Sequence, residues 1–278
     1  MSATLPIYQV DAFTDRLFAG NPAAVVPLEA WLPDDLMQAI AAENNLAETA
    51  FFVPAGDGRW ELRWFTPTIE VPLCGHATLA TAFVITECLG ENAPTLTFAT
   101  RQAGDLTVTR DADGVFSMRF PIRPKGPKRD GEAVAEALGA RPREVVEFVA
   151  QDDTSYLAVF ETAAEVEALS PDMRALSSLP PRNVIATAPG AAGSGLDFVS
   201  RMFAPKAGID EDPVTGSAHC SLVPYWAEKL GKTEFAARQV SKRGGDLACR
   251  LDGEIVVISG KAVLYLTGTI RVPAGATA

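Results

Sequence analysis

The chain has 278 residues, 47% of them hydrophobic and 21% charged, and its formal net charge is −11 at pH 7. This composition is that of a globular protein, and the acidic balance without a run of lysine or arginine argues against nucleic acid and anionic membranes as main partners. The four cysteines form no C-x-x-C pair, no apolar run reaches the ~20 residues needed to span a membrane, and no secretory signal is recognisable. We therefore expect a cytoplasmic protein with reduced thiols.

Short strands are predicted through most of the first half of the sequence. Apolar alternation and short apolar runs place them at Tyr8–Phe13, Ala23–Val26, Glu48–Val53, Arg59–Phe65, Leu96–Phe98, Leu106–Thr109 and Val115–Phe120. An early proline followed by Asp34 and Asp35 marks the start of a helix near Pro33–Ala42. The segment Ala77–Leu89 has almost no polar face, which predicts a helix buried on all sides. We expect a sheet curled around that helix.

The second half is predicted to repeat the plan of the first. A polar stretch at residues 123–131 is interpreted as a linker between the halves 1–122 and 123–278, and a helix follows at Glu132–Leu138. Strands are predicted at Val145–Val149, Tyr156–Phe160, Val184–Thr187, Asp197–Phe203, Gln239–Ser241, Asp246–Leu251, Glu254–Ser259 and Ala262–Arg271. The central helix of this half is Ser217–Leu230, and the last strand could return to the first half. The predicted fold is α+β, with two pseudo-symmetric, barrel-like halves, each a mainly antiparallel curved sheet around a central helix.

One passage occurs twice in the sequence. Residues 63–81 read RWFTPTIEVPLCGHATLAT, and residues 201–222 read RMFAPKAGIDEDPVTGSAHCSL. Both copies begin Arg-x-Phe-x-Pro, run through an acidic loop that contains proline, and enter a helix of small residues. Such a repeat predicts two similar half-molecules with a site in the cleft between them, where unpaired N–H groups at two helix starts would receive an anionic ligand.

The two histidines of the chain lie at the two repeated helix starts. His76 directly follows Gly75, where the backbone can approach a ligand closely, and we expect it to belong to the site. His219 lies one turn into its helix among small residues, and we expect it to be a hydrogen-bonded core residue. Glu48 precedes Thr-Ala-Phe-Phe-Val, at the point where a strand becomes buried. An exposed strand-end carboxylate is the plain interpretation, but a carboxyl at that boundary can also transfer protons.

A third cluster surrounds the second helix start. Asp212 with Thr215 reads as a helix cap or Asx-turn, while Gly216 and Ser217 add backbone N–H groups and a hydroxyl at the same end. Capping and ligand binding are compatible there, so Asp212, Gly216 and Ser217 are candidate ligand contacts.

Several common chemistries are poorly supported by the sequence. Two distant histidines without H-x-x-x-H or H-x-H spacing do not form a metal ligand set, and no G-x-S-x-G elbow or P-loop is present. The glycine-rich segment Gly190–Gly195 is followed by no helix pattern and is interpreted as a flexible turn. We therefore expect neither a metal nor an organic cofactor.

The longest motifs resemble one known family. The strings DAFTDRLFAGNPAAVV, NLAETAFF, VPLCGHATLATA and GIDEDPVTGSAH are similar to those of the phenazine-biosynthesis PhzF-like family. The C-terminal QVSKRGGDLACR departs from the Gln-Gly…Arg-Pro pattern of many members and is closer to the eukaryotic-like branch. The resemblance covers essentially the whole chain. It implies the fold of diaminopimelate epimerase and a cofactor-free isomerase, in which Glu48 is the essential acid or base. It further implies that Gly75, His76, Asp212 and Ser217 match the family's other site positions, and that the protein could form a homodimer.

Three functions remain open from the sequence. The leading one is an isomerase that moves a proton between carbons of a small carboxylate, with Glu48 as the catalytic group and the helix starts as carboxylate receptors. A racemase or epimerase would instead use two facing thiols, for which Cys74 and Cys220 lie near the two helix starts. A non-catalytic binding protein on an inherited enzyme fold is the third.

Overall fold

The computed structural model describes residues 2–56, 58–150 and 153–273. The chain divides into two compact units. The first unit contains the residues up to Arg119 together with those from Ser259 onward, and the second contains Phe120–Ile258. The chain therefore leaves the first unit once and returns to it at its C-terminal end.

Strands outnumber helices in both parts of the chain. The N-terminal part of the chain forms β1 (Ser2–Ala12), β2 (Asn21–Pro27), α1 (Asp34–Asn44), β3 (Glu48–Gly56), β4 (Arg59–Phe65), β5 (Glu70–Val71), α2 (Gly75–Phe83) with a π-helical turn at Val84–Cys88, β6 (Thr95–Thr100), β7 (Asp105–Arg110) and β8 (Phe116–Pro121). The remainder forms β9 (Lys125–Arg129), α3 (Glu132–Leu138), β10 (Glu144–Ala150), β11 (Asp153–Val159), α4 (Ala163–Glu167), α5 (Met173–Ser178), β12 (Asn183–Pro189), β13 (Phe198–Ala204), a 3₁₀ turn at Pro205–Ala207, β14 (Ile209–Asp212), α6 (Gly216–Leu230), β15 (Glu234–Gln239), β16 (Gly245–Asp252), β17 (Ile255–Gly260) and β18 (Ala262–Pro273).

Strand pairing shows that the two units share one topology. In the first unit β18 pairs antiparallel with β1, β1 with β2, β3 with β4, β6 with β7 and β7 with β8, whereas β2–β3 and β4–β6 are parallel. In the second unit β9–β10, β10–β11, β12–β13 and β15–β16 are antiparallel, and β11–β12 and β13–β15 are parallel. The internal repeat is therefore a repeat of strand order. In the second unit β9 pairs with β10, and in the first unit β18 pairs with β1 at the equivalent position.

Each unit has a buried helix at its centre. In α2 every residue from His76 to Ala82 is buried, and the helix packs against β1, β2 and β3. In α6 the buried residues include Ala218–Val223, Tyr225 and Trp226. A helix without a polar face cannot face water, so the sheet of each unit must curve around it. The predicted fold class, with curved and mainly antiparallel sheets and few helices, is confirmed. None of the helices in the described ranges is long and apolar enough to cross a membrane.

Several local predictions need correction. The interpretation of residues 123–131 as a linker is wrong for Lys125–Arg129, which form β9 and pair with β10, because a lysine- and proline-bearing segment can still form a strand where one side stays open. The strand predicted at Gln239–Ser241 is instead Glu234–Gln239 and ends where the prediction began. The helices α4 and α5 were not predicted, because five or six residues carry no readable periodicity.

Candidate functional site

Glu48 is the first residue of β3, beside the parallel strand β2. The preceding helix ends at Asn45 in the left-handed conformation with φ 49°, which turns the chain sharply into the strand. Asn44 Nδ2 donates to Thr49 Oγ1 at 3.1 Å and fixes that turn. The Glu48 side chain is 13% exposed. The carboxylate is thus held at the rim of the core, where it retains a narrow access to solvent.

His76 is the second residue of α2, and its side chain lies beside Glu48. Nε2 of the imidazole is 3.1 Å from Glu48 Oε2. Both atoms are buried, and neither makes a well-aligned hydrogen bond with a group in the described ranges. Buried polar atoms without such bonds are uncommon in folded proteins, and here they mark a place where a further group can bind. The carboxylate and the imidazole edge are therefore oriented to share a third partner.

The other ring nitrogen of His76 faces two different groups. Nδ1 lies 3.1 Å from Asn21 Nδ2 and 3.5 Å from Cys74 Sγ. Asn21 is completely buried at the first position of β2. The sequence analysis did not single it out. The sequence did carry an indication, because Asn21 stands in Gly-Asn-Pro directly before an apolar strand. Its proximity to His76, however, is seen only in the folded structure.

Burial and charge set the ionisation of the thiol and of the imidazole. Burial, reinforced by the Glu48 carboxylate, raises the pKa of Cys74 to about 11, so this thiol is uncharged near neutral pH. Burial also lowers the pKa of His76, but the adjacent Cys74 and Glu48 groups raise it by more, and the net direction is upward. At neutral pH the Cys74 thiol is uncharged and its contribution to the pKa of His76, the largest of the upward ones, is absent, so Glu48 alone acts against the lowering by burial.

Glu48, Cys74 and His76 each offer a metal-ligand atom, and these atoms lie within 4.8 Å of one another. Nδ1 lies nearer the thiol and Nε2 nearer the carboxylate. The cluster therefore offers the ligand types of a metal site, and the expectation of no metal stays a prediction.

The candidate residues of the second unit form a cluster of their own. Thr215 Oγ1 donates to Asp212 Oδ2, and the Thr215 N–H donates to Gln239 Oε1 at 2.9 Å. Gln239 Nε2 in turn donates to the carbonyl of Asp212. Thr215 is the residue that precedes α6, but its side chain does not cap the helix. The prediction that Thr215 caps the helix is thus wrong. Helix α6 begins with Gly216 and Ser217, and the Thr215 side chain accepts no hydrogen bond from its first turn.

A similar helix start occurs in the first unit. Cys74 precedes α2, and its side chain makes no capping hydrogen bond either. First-turn N–H groups of a helix need an acceptor, and an anion is a common one. The two repeated helix starts therefore share the feature that led the sequence analysis to expect an anionic ligand.

His219 has the structural role expected from the sequence. It is fully buried, its Nδ1 lies 2.9 Å from the Thr215 carbonyl, and its ring is tilted against that of Phe198. Burial lowers its pKa to about 4, so the imidazole is neutral over the physiological range.

The repeated arginines are structural. Arg63 is nearly buried and forms paired hydrogen bonds of 2.8 Å with Glu70, and Arg201 binds Glu211 in the same way at 2.7 and 2.9 Å. A cavity of about 250 Å³ lies beside Arg63 and Trp31. Because Arg63 is already paired with carboxylates, this cavity offers an anion no free charge from that residue.

The described architecture defines a class of protein, namely an α+β fold of two like units with a buried carboxylate–imidazole pair at the start of a central helix. Residues 10–268 match the family described as phenazine biosynthesis-like protein. The chain belongs to this family, as its motifs predicted. A Pseudomonas aeruginosa protein named an uncharacterized isomerase is 52% identical over 96% of this chain and 99% of its own length.

Two further relatives extend the match. The mouse phenazine biosynthesis-like domain-containing protein 2 is 42% identical over 96% of this chain and 99% of its own. The crystal structure of a phenazine biosynthesis protein of the PhzF family from Enterococcus faecalis aligns with a TM-score of 0.88 and 43% identity, over 97% of this chain and 100% of that one. The family assignment therefore applies to the whole fold rather than to a single motif.

Proposed function

We propose that this protein is a cofactor-independent isomerase that moves a proton between carbons of a small carboxylate substrate. The observation that carries the proposal is the pair formed by Glu48 Oε2 and His76 Nε2, 3.1 Å apart, buried, and without aligned hydrogen bonds in the described ranges. The name isomerase carried by a relative of 52% identity points in the same direction.

In the proposed reaction Glu48 accepts a proton from a carbon of the substrate and returns it to another carbon on the same face. The electron pair left by the first C–H bond moves through the conjugated system of the substrate to the carbon that receives the proton. The N–H of His76 lies beside the carboxylate and can donate to the substrate oxygen on which negative charge develops. No electron is gained or lost overall, so the reaction balances without a redox partner.

Substrate binding is proposed to involve Gly75, His76, Asp212, Gly216 and Ser217. The first-turn N–H groups of α2 and α6 lack a side-chain cap from the preceding residue, which suits them to a carboxylate. The expectation from the sequence that residues of both units serve one substrate stays a prediction.

The test is solvent exchange. The protein is incubated in D₂O with a panel of small mono- and dicarboxylates, and mass spectrometry and proton NMR follow deuterium at carbon. Where the proton held by Glu48 exchanges with solvent before it is returned, deuterium enters the product or the recovered substrate. Where it does not exchange, the same assay detects the isomerised product without deuterium, and Glu48→Gln gives neither result. Binding of a panel member with neither exchange nor isomerisation in the native protein would favour a non-catalytic binding function and overturn the proposal.

The two-thiol racemase is the second candidate, because Cys74 Sγ lies 3.5 Å from His76 Nδ1. A thiol base must ionise, and burial raises the pKa of both Cys74 and Cys220 to about 11. These thiols are therefore poor bases near neutral pH, which favours Glu48. Exchange that survives Glu48→Gln but is lost in Cys74→Ala would reverse this preference.

A further inference from the structure

The surroundings of His76 Nδ1 determine where the imidazole carries its proton. Asn21 places its amide nitrogen, which only donates, 3.1 Å from Nδ1. The Cys74 thiol, a weak donor while it is uncharged, approaches the same atom at 3.5 Å. Both neighbours can therefore donate to Nδ1, and a hydrogen on Nδ1 itself would point at the amide N–H₂ group. The surroundings favour an unprotonated Nδ1.

We propose that Asn21 is a positioning residue that keeps His76 Nδ1 as an acceptor and so places the single ring proton on Nε2, the ring nitrogen 3.1 Å from Glu48 Oε2. The proposal rests on the proposed function and assigns one role to each side of the ring. With the proton on Nε2, His76 donates and Glu48 stays free to accept a proton from carbon. With the proton on Nδ1, the bare Nε2 would compete with the substrate for the same proton.

The backbone around Asn21 holds the amide in place. Asn21 is opposite Ala12 in the pairing of β1 with β2, and it follows Gly20, whose φ is +64°. A Cβ on Gly20 would come within 2.2 Å of the Ala12 carbonyl oxygen, so the turn into β2 requires glycine. The amide is completely buried, and its position is set by a turn and a strand that have little freedom.

Glu48 and Cys74 are the titratable groups described beside His76, and Asn21 acts on the protonation of the same ring. Glu48 Oε2 lies 3.1 Å from Nε2 and Cys74 Sγ lies 3.5 Å from Nδ1, and these two groups also lie within 4.8 Å of each other. The Glu48 carboxylate raises the pKa of the imidazole. A second ring proton would have to sit on Nδ1 against the Asn21 amide. Asn21 therefore opposes formation of the imidazolium that Glu48 would otherwise favour.

The experiment is ¹⁵N NMR of the imidazole rings in the full-length protein. The chain contains only two histidines, so one His219→Gln spectrum assigns both rings. The expected native result near neutral pH is a His76 ring with an unprotonated Nδ1 and a protonated Nε2. Asn21→Asp places an acceptor at Nδ1 and should convert His76 to the doubly protonated form. Asn183→Asp, at a buried asparagine of the other unit, serves as the control and should leave the His76 spectrum unchanged.

The activity of the same variants separates this proposal from the proposed function. With an exchange substrate, Asn21→Asp should lower kcat roughly 10–100-fold with little change in KM, since such orienting partners typically have effects of this size. A native His76 ring with a protonated Nδ1 overturns the role of Asn21 whatever the reaction is. If His76 has the expected tautomer but the protein neither exchanges nor isomerises any carboxylate of the panel, the role of Asn21 stands and the isomerase is refuted.

Discussion

Replacing Glu48 by glutamine should abolish catalysis without weakening the fold. The amide keeps the shape of the side chain and can turn its oxygen toward His76 Nε2, 3.1 Å away in the native protein. It cannot take up a proton from carbon. General acid–base catalysis contributes about 10²–10⁴-fold, so turnover should fall by at least that factor, which corresponds to a barrier higher by about 3–5 kcal/mol.

The effect on stability should be small or favourable. Glu48 Oε2 is buried and has no aligned hydrogen bond in the described ranges, so the native protein already bears part of the cost of removing this carboxylate from water. A neutral amide reduces that cost. The free energy of unfolding of Glu48→Gln should therefore stay within about 1 kcal/mol of the native value or exceed it.

Glu70→Gln is the matched control, because it makes the same chemical change at a structural ion pair. Both Glu70 oxygens are bound by Arg63 at 2.8 Å, and the Arg63 side chain is only 2% exposed. Removing the Glu70 charge should lower the free energy of unfolding by about 1–3 kcal/mol. The loss is limited because Glu70 is partly exposed and because Asp34 still pairs with Arg63. Turnover of the folded fraction should be unchanged.

The two variants are compared by urea unfolding and by deuterium exchange into the same substrate. Loss of exchange in Glu48→Gln with native stability, and the opposite pattern in Glu70→Gln, supports the reasoning. Near-native exchange by Glu48→Gln would refute the glutamate mechanism. A loss of exchange that merely tracks unfolding would show that Glu48 is structural.

Four shorter predictions follow from the same structure. Because the pKa of Cys74 is raised to about 11, roughly one Cys74 thiol in a thousand is ionised at pH 8. Iodoacetamide should therefore modify the half-buried Cys88 before Cys74. Equal modification rates at Cys74 and Cys88 would contradict the burial of Cys74. The thiols of the unfolded chain ionise near pH 9, whereas the folded Cys74 and Cys220 ionise only near pH 11. The free energy of unfolding should therefore keep its full thiol contribution below pH 9 and decrease between pH 9 and pH 11. A Cys74→Ala/Cys220→Ala variant should show a smaller decrease over the same range. Exchange activity should survive dialysis against a strong chelator, and its recovery with one divalent ion alone would contradict the proton-transfer mechanism. Light scattering at micromolar concentration should give the mass of a homodimer, and a monomer mass would reject that expectation.

Much of the fold could be predicted because its strongest signals are local. The strand Arg59–Phe65 and the helix Glu132–Leu138 have the predicted bounds, since alternation marks the first and a closing glycine the second. The central helix was placed correctly by its lack of a polar face, although the change to a π-helical turn at Val84 carries no sequence signal. The repeated Arg-x-Phe-x-Pro motif predicted two like units, and the strand order agrees.

The site was only partly predictable, for a physical reason. Glu48 and His76 were each selected from their immediate neighbours in sequence. Their separation of 3.1 Å depends on the parallel pairing of β2 with β3 and on the packing of α2 against these strands. Asn21 is 55 residues from His76 and could not be linked to it without those long-range contacts. The acceptor of the Thr215 N–H could likewise not be predicted, because it belongs to Gln239, 24 residues away.

The pairing of β18 with β1 has a consequence for biosynthesis. A ribosome that has made the first 121 residues has produced β1 to β8, whereas β18 begins more than 140 residues further along the chain. Until then β1 exposes the backbone edge that β18 will cover, and such an edge is prone to pair with another chain. The second unit, contiguous in sequence, can be completed while the nascent chain is still attached. The half that is translated first is thus the half that finishes folding last, and a message truncated after residue 258 would yield a chain whose N-terminal unit can never close.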